Sequence, residues 1–433
     1  MAALVSVLVA GLAIFGGYYT YAPAAQRAVT LVGIGRASVN TSVPNGGDFV
    51  FIDDTVHCED LHHHTPSGLL FTACEDNKET RAAWFPGLAN LDDPVKGSEQ
   101  KGSFHVIDPK DLTQKRLRFD NFDSTFVTHG IDVLSDPQRP EAVYIFAVNH
   151  VPHPDYLATK TRGQSGQKLV QKSQSRVEIF HHVPGASTVR HLRTVIHPLI
   201  KNPNDLFAVD PYSFYVTNDH YHSEGIGRMV EDLLPVASWT TTVHVRVDEM
   251  SALLPADGLK VDVALSGLRN NNGLGHGRRP REIIVNNCAR GEIHLAQLSP
   301  DPKNTSIVLT ETIQVDTYID NPAWFEDPYK SEILDASGFV LAGVSRPIDI
   351  LAQAGVGEPK IGSIVWYVKP AADGGGGGYE KRILFEDDGT RISSAATAVL
   401  VAIDPSQEQG QRKAWLFITG FMSTSVVAVK VDL

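Results

Sequence analysis

Three adjacent pairs of oxygen-bearing side chains stand out in this sequence: Glu59-Asp60, Asn204-Asp205 and Asp320-Asn321, with a further amide at Asn272 ahead of Gly273. Carboxylates and amide carbonyls are hard donors of the kind that Ca²⁺ gathers about six to eight at a time, whereas Zn²⁺ favours thiolate and imidazole. Asp and Asn are equally the residues of turns and caps, and taken singly each pair reads first as turn chemistry. Two histidines join them, His129 in Thr128-His129-Gly130-Ile131 and His150 in Val148-Asn149-His150. An imidazole can take a proton from water as a general base, although an isolated histidine is more often a hydrogen-bonded core or surface residue. The run His62-His63-His64 reads as a solvated hairpin segment. No serine elbow is present: in Gly163-Gln164-Ser165-Gly166 the second glycine comes one position early and no apolar strand precedes it. Cys288 lacks a thiol-protease signature and reads as buried and inert.

These residues need a frame that turns several chain segments toward one point. Each pair lies close to a predicted strand end, among short apolar runs such as 143–148, 213–216, 281–285 and 339–342. Such runs, separated by turn residues and rich in β-branched and aromatic side chains, predict a predominantly β chain. Neighbours on a strand point to opposite faces, so a pair at a strand end can give one member to each of two sites. Residues 45–433 are too many for one sandwich and suit a six-bladed β-propeller of four-stranded blades. Without a repeat signature, two β domains remain the other reading. Segments 77–102, 160–175 and 355–379 read as long loops, and the glycine run 374–378 as a flexible linker rather than a phosphate cradle. Cys58 and Cys74 flank a hairpin turning at Pro66-Ser67-Gly68, where they either form a bridge or simply pack.

Composition narrows the partners. Against 50 Asp and Glu stand 38 Lys and Arg, a net charge of −12 that disfavours nucleic acid. Three cysteines are too few for a disulfide scaffold, and 42% hydrophobic residues suffice for a large core. Residues 1–26 carry no charge and begin with an apolar run, so they read as a signal peptide or an N-terminal membrane anchor, with possible membrane association through that segment. A connector over 27–44 and the sequons at Asn40 and Asn304 fit a secreted or membrane-anchored chain facing the lumen or extracellular space.

Taken together, the pairs and histidines resemble the paraoxonase and arylesterase family. The resemblance lies in Glu59-Asp60-Leu61 leading to Pro66-Ser67-Gly68-Leu69, and in 126–131, 148–150, 204–209, 217–221, 272–274 and Asp320-Asn321, in the family's order along most of the body. It implies an all-β, six-bladed β-propeller with two Ca²⁺ ions in its central tunnel and a lactone or aryl ester as small-molecule substrate. By the same resemblance the catalytic ion takes Glu59, Asn204, Asn272, Asp320 and Asn321. The structural ion takes Asp60, Asp205 and the backbone carbonyl of Ile131. A Lewis-acidic ion would polarise the carbonyl while His129, supported by His150, activates water. There are departures: a second copy of the first pair at Glu75-Asp76, no cysteine after Cys288, and Arg346 where the family tends to have histidine. Rival readings are a propeller phosphotriesterase or sugar-lactonase relative, and a non-enzymatic propeller stabilised by calcium.

Overall fold

Strands buried on both faces read as continuous apolar runs, and the outer strand of a set carries more polar side chains; the chain uses both patterns. In Arg139–Pro152 every residue from Ala142 onward except Tyr144 is buried, whereas Thr113–Asp120, with Lys115, Arg116 and Arg118, is mostly exposed. The computed structural model describes residues 22–44, 46–161, 171–234, 236–353, 356, 358–371 and 378–433. The expectations for the leader fall mostly on residues 1–21, and those for the near-elbow and for glycines 374–377 wholly, outside the described residues. No helix among the described residues is long and apolar enough to cross a membrane.

The architecture is all-β and propeller-like. One sheet runs antiparallel through Pro203–Asp210, Ser213–Asn218, Thr240–Val247 and Leu259–Leu268. The next two begin at Asn271–His276 and Pro322–Phe325 and are built alike. An eight-stranded sheet consists of two such sets, begun by Cys58–His64 and Thr128–Asp136, joined where Thr188–Val195 lies parallel to Thr113–Asp120. The set begun by Ala395–Ala402 is completed by Phe49–Ile52, which pairs with Val426–Asp432 and ties the two ends of the chain together. Apolar clusters sit between successive sets and return to the start: Phe146 and Val177 face Leu206 and Phe214, and at the closure Leu61 and Leu70 face Phe417 and Val426.

The first strand of each set lies innermost, and five of the six break register near their start. The breaks fall between Cys58 and Leu61, Thr128 and Ile131, Pro203 and Leu206, Asn271 and Leu274, and Ala395 and Ala398. A bulge frees the residues it skips from the ladder and re-aims their side chains. Those skipped are Glu59-Asp60, His129-Gly130, Asn204-Asp205, Asn272-Gly273 and Ala396-Thr397, so most of the sequence candidates sit on irregularities rather than on alternating strand faces. Carboxylates then stitch neighbouring inner strands: Asp60 accepts the Ile131 amide at 2.9 Å, Asp132 that of Ala208 at 2.6 Å, and Asp205 that of Leu274 at 2.7 Å.

The inner strands approach so closely that a methyl group on Gly130 would lie 2.4 Å from the Asn204 carbonyl oxygen and 2.6 Å from Asp205 Oδ1. Gly130→Ala is therefore expected to lower the thermal midpoint by several degrees, because the clash is with backbone that cannot rotate away; a calorimetric scan checks this. Cys58 and Cys74 are register partners and are disulfide-bonded, which resolves the two readings of that pair and anchors the strand carrying Glu59. The asparagines of both sequons are exposed.

Candidate active site

The bulges turn Glu59, Asn204 and Asn272 toward one place, where Asn321, just ahead of the unbulged strand Pro322–Phe325, meets Glu59, and Asp320 opens onto a cavity above them. Asn321 Nδ2 donates to Glu59 Oε1 and to Thr397 Oγ1, both at 2.9 Å, which turns its carbonyl oxygen the other way. Glu59 Oε2 and the Oδ1 atoms of Asn204, Asn272 and Asn321 are buried and accept no hydrogen bond. Buried acceptors are normally satisfied, so this set of orphans, all hard oxygens, asks for a cation. Burial pushes the Glu59 carboxyl well above its usual range, and Asp320 and Asp60 push it further. Burial, with Asp60 and Asp219, pushes Asp320 up to about 8. Calcium fits this donor set by chemistry and by charge.

The second set differs. Asp60 Oδ1 accepts from the Leu61 amide and from Thr397 Oγ1, each at 2.8 Å, and Oδ2 accepts from the Ile131 amide and contacts His62 Nε2 at 3.1 Å. Asp205 accepts from the Leu206 and Leu274 amides, both at 2.7 Å. Each Asp205 oxygen has one partner and keeps a second lone pair, whereas each Asp60 oxygen already has two partners. Burial raises Asp205, and Asp60 and Glu59 raise it further; for Asp60 the same burial is outweighed by His62, which brings its carboxyl below the usual range.

His129 and His150 meet as expected. His129 Nδ1 lies 3.0 Å from His150 Nε2, and His150 Nδ1 lies 2.8 Å from Ser175 Oγ. His129 Nε2 faces Asn204 Nδ2 at 3.3 Å and Glu59 Oε1 at 4.0 Å. Burial, reinforced by the neighbouring His150, drives His129 well below its ordinary value; burial takes His150 down to about 4. Both rings are neutral near pH 7.

A cavity of about 620 Å³ opens above, floored by His129, Asn204, Asn272 and Asp320 and walled by Phe85, Val29, Val32, Val344, Ile348 and Phe421. Val29 and Val32 come from the connector, which a helix over residues 22–31 enters from the end of the uncharged segment. Arg346 does not line the cavity: it pairs with Asp349 at 2.8 Å and binds the Arg36 carbonyl, fastening that N-terminal segment. Of the two acidic pairs near the first hairpin, Glu59-Asp60 reaches the axis. Glu75 pairs instead with Arg81, and Asp76 with Arg116. The run His62-His63-His64 is less exposed than expected, because it lies on an innermost strand: His62 and His63 are half-buried, and His64 is buried between Ser67 and Ser135.

Four contributors were not assigned from sequence. Asp219 sits beside Asn204 Nδ2 at 3.4 Å and pairs with His220 at 3.0 Å, which with Arg228 outweighs burial and holds its carboxyl low. Its signal was positional: it follows Asn218, the register partner of Pro203, and so must lie at the end of the sheet that carries Asn204. Thr397 and Thr419 hold the Glu59 backbone carbonyl at 3.2 and 2.6 Å, and Asp132 stitches the strands; threonines within strands carry no signal of their own.

The raised carboxyls make a sign prediction. A carboxyl whose folded value is raised contributes stability that is fully present below about pH 4 and is lost as pH rises through the folded value. With Asp320 at about 8, and Glu59 and Asp205 shifted the same way, calcium-free protein is expected to lose thermal midpoint steadily from pH 5 to pH 9. The gain in midpoint on adding calcium should grow over the same interval, as differential scanning calorimetry at fixed ionic strength would show.

Residues 168–336 match the family model Arylesterase. The chain is 28% identical over 249 residues to serum paraoxonase/arylesterase 2 of Bos taurus, covering 58% of this chain and 59% of that protein. It is 26% identical over 275 residues to serum paraoxonase/lactonase 3 of Oryctolagus cuniculus, covering 62% and 63%. The match thus spans less than two thirds of these relatives' length. Among solved structures, a luciferin-regenerating enzyme aligns with 90% of this chain and 96% of its own at 12% identity and a TM-score of 0.44.

Proposed function

We propose that this chain, similar over 58% of its length to serum paraoxonase/arylesterase 2, belongs to the paraoxonase/arylesterase family and is a calcium-dependent hydrolase of lactones and aryl esters acting in the mouth of a six-bladed propeller. The observation that carries the reading is the meeting of four orphaned oxygens and a neutral histidine pair at the floor of one largely apolar cavity. The blade count is supported by the four-stranded sets and by the apolar clusters that close on themselves.

Glu59, Asn204, Asn272, Asp320 and Asn321 would hold the catalytic Ca²⁺, and Asp60, Asp205 and the Ile131 carbonyl a structural one. When bound, that first ion would supply Lewis acidity toward the substrate's carbonyl oxygen and would stabilise the negative charge that gathers there. The chain's own residues do the rest. His129 Nδ1–H donates to His150 Nε2, which leaves His129 Nε2 to take the proton from the attacking water. His150 Nδ1–H donates in turn to Ser175, fixing the tautomer of both rings. Asp219 favours the imidazolium that forms, as its charge already acts on His129. Phe85, Val344 and Phe421 exclude bulk water and receive the acyl or aryl group. The name of the lactonase 3 relative supports including lactones. The uncharged leader and the exposed sequon asparagines support a secreted or membrane-anchored protein.

The test is hydrolysis of phenyl acetate and a lactone panel after exhaustive chelation and after calcium is restored. Turnover should vanish and return. Activity that survives complete calcium removal would sink the mechanism, and no turnover by calcium-loaded protein on any substrate would favour a binding propeller.

A further inference from the structure

Segment 77–102 is folded rather than loose: helices Lys78–Ala83 and Pro94–Glu99 flank a short hairpin, Trp84–Phe85 with Asn90–Leu91. At its centre Arg81 and Glu75, both fully buried, lie 2.5 Å apart from Nε to Oε2. The guanidinium carbon sits 3.8 Å from the centre of the Phe85 ring. That ring meets His129 edge-on at 4.8 Å between centroids and His150 at 5.9 Å. On its other side Arg81 Nη2 donates at 2.9 Å to the carbonyl of His57, two residues ahead of Glu59. Trp84 Nε1 adds a bond of 2.9 Å to the His150 carbonyl. One buried cation therefore touches both the backbone that presents a candidate calcium ligand and the ring that wedges the candidate base.

Stability does not explain such a pair. Removing two charges from water is costly, and apolar replacements of buried ion pairs are often neutral or stabilising. Here Arg81 Nη1 and Glu75 Oε1 are also left without hydrogen-bond partners. What the pair provides is direction, because a planar guanidinium can stack on a ring and fork toward a carbonyl and a carboxylate at once, which an ammonium cannot.

We propose that Arg81, held by Glu75, is a positioning residue that fixes Phe85 against His129 and His150 and steadies the backbone before Glu59. Its kinetic consequences rest on the hydrolase reading; its structural consequence does not. In the full-length, calcium-loaded protein, Arg81→Met is expected to lower kcat on phenyl acetate by about 30- to 100-fold with KM within about twofold, the cost of misplacing a reacting group by about 1 Å. Arg81→Lys should not rescue it. Phe85→Leu should fall comparably, and the double variant should be no slower than the slower single one, because the two act as a unit. Single effects that multiply would overturn the coupling. A second readout needs no turnover: the downfield proton resonance of the His129–His150 hydrogen bond should shift or vanish in Arg81→Met and in Phe85→Leu, and persist in Lys78→Ala. An unchanged resonance in Arg81→Met would overturn the proposal even if no ester is hydrolysed, whereas an inactive wild type would count against the hydrolase reading alone. If Arg81→Met does not fold, Arg81→Lys and Glu75→Gln carry the same two readouts.

Discussion

Replacing Asp320 with alanine is expected to lower ester hydrolysis by about 10³-fold or more, whereas Asp60→Ala is expected chiefly to lower the thermal midpoint. The contrast follows from what each carboxylate touches. Asp320 opens onto the cavity, and its backbone is held independently: its amide donates to the Ala342 carbonyl at 2.9 Å and its carbonyl accepts from Asn286. Truncating its side chain removes a donor to the proposed ion and leaves the frame standing. Asp60 instead accepts from the amides of Leu61 and Ile131 and from Thr397, so it joins three inner strands. Its loss takes the acceptor from the buried Leu61 and Ile131 amides, at about 1 to 3 kcal/mol each before relaxation, while Thr397 keeps the Glu59 carbonyl. Calorimetry and phenyl acetate kinetics on both variants, each with saturating calcium, separate the roles. If Asp60→Ala proved inactive and Asp320→Ala merely unstable, the two ion assignments would exchange.

The same contrast explains what was legible in the sequence. Glu59-Asp60, Asn204-Asp205 and Asp320-Asn321 could be found because each puts two oxygen donors where a strand begins, a pattern visible in one dimension. The expected means of splitting a pair between two sites, alternation along a strand, is replaced for the first two by bulges, since both members lie where the register breaks. Sequence could not choose between Glu59-Asp60 and Glu75-Asp76 except by the hairpin that follows the first. In the fold Arg81 and Arg116 neutralise the second copy, and the first meets no arginine or lysine in an ion pair among the described residues. Asp219 and Thr397 stayed hidden because their roles depend on which inner strands become neighbours, a long-range fact with no local mark. Segment 77–102 read as a loop because its helices and strands are too short for periodicity to register. Yet it supplies Phe85 to the cavity and Trp84 to the His150 backbone.

His129→Gln tests the base. Glutamine reaches about as far as imidazole and can still bond to His150 and Asn204, so the thermal midpoint and calcium affinity should stay near wild type. The rate should drop by about 10²- to 10⁴-fold, the usual worth of a positioned general base. His150→Gln should cost less, because His150 touches the base and not the cavity floor. The pH profile sharpens the assignment. A base works in its deprotonated form, so activity falls as pH falls through its folded value. Burial and His150 have moved that value for His129 well below the ordinary 6.5, and a bound cation beside Glu59 and Asn204 would move it the same way. With calcium saturating at every pH, kcat/KM should therefore stay level between pH 8 and pH 6.5 and fall only in more acid solution. His129→Gln should lose that acid limb along with most of its rate. An acid limb at or above 6.5 in the wild type, or an unchanged rate in His129→Gln, would place the base elsewhere, with Asp219 the next group on the same wall to substitute.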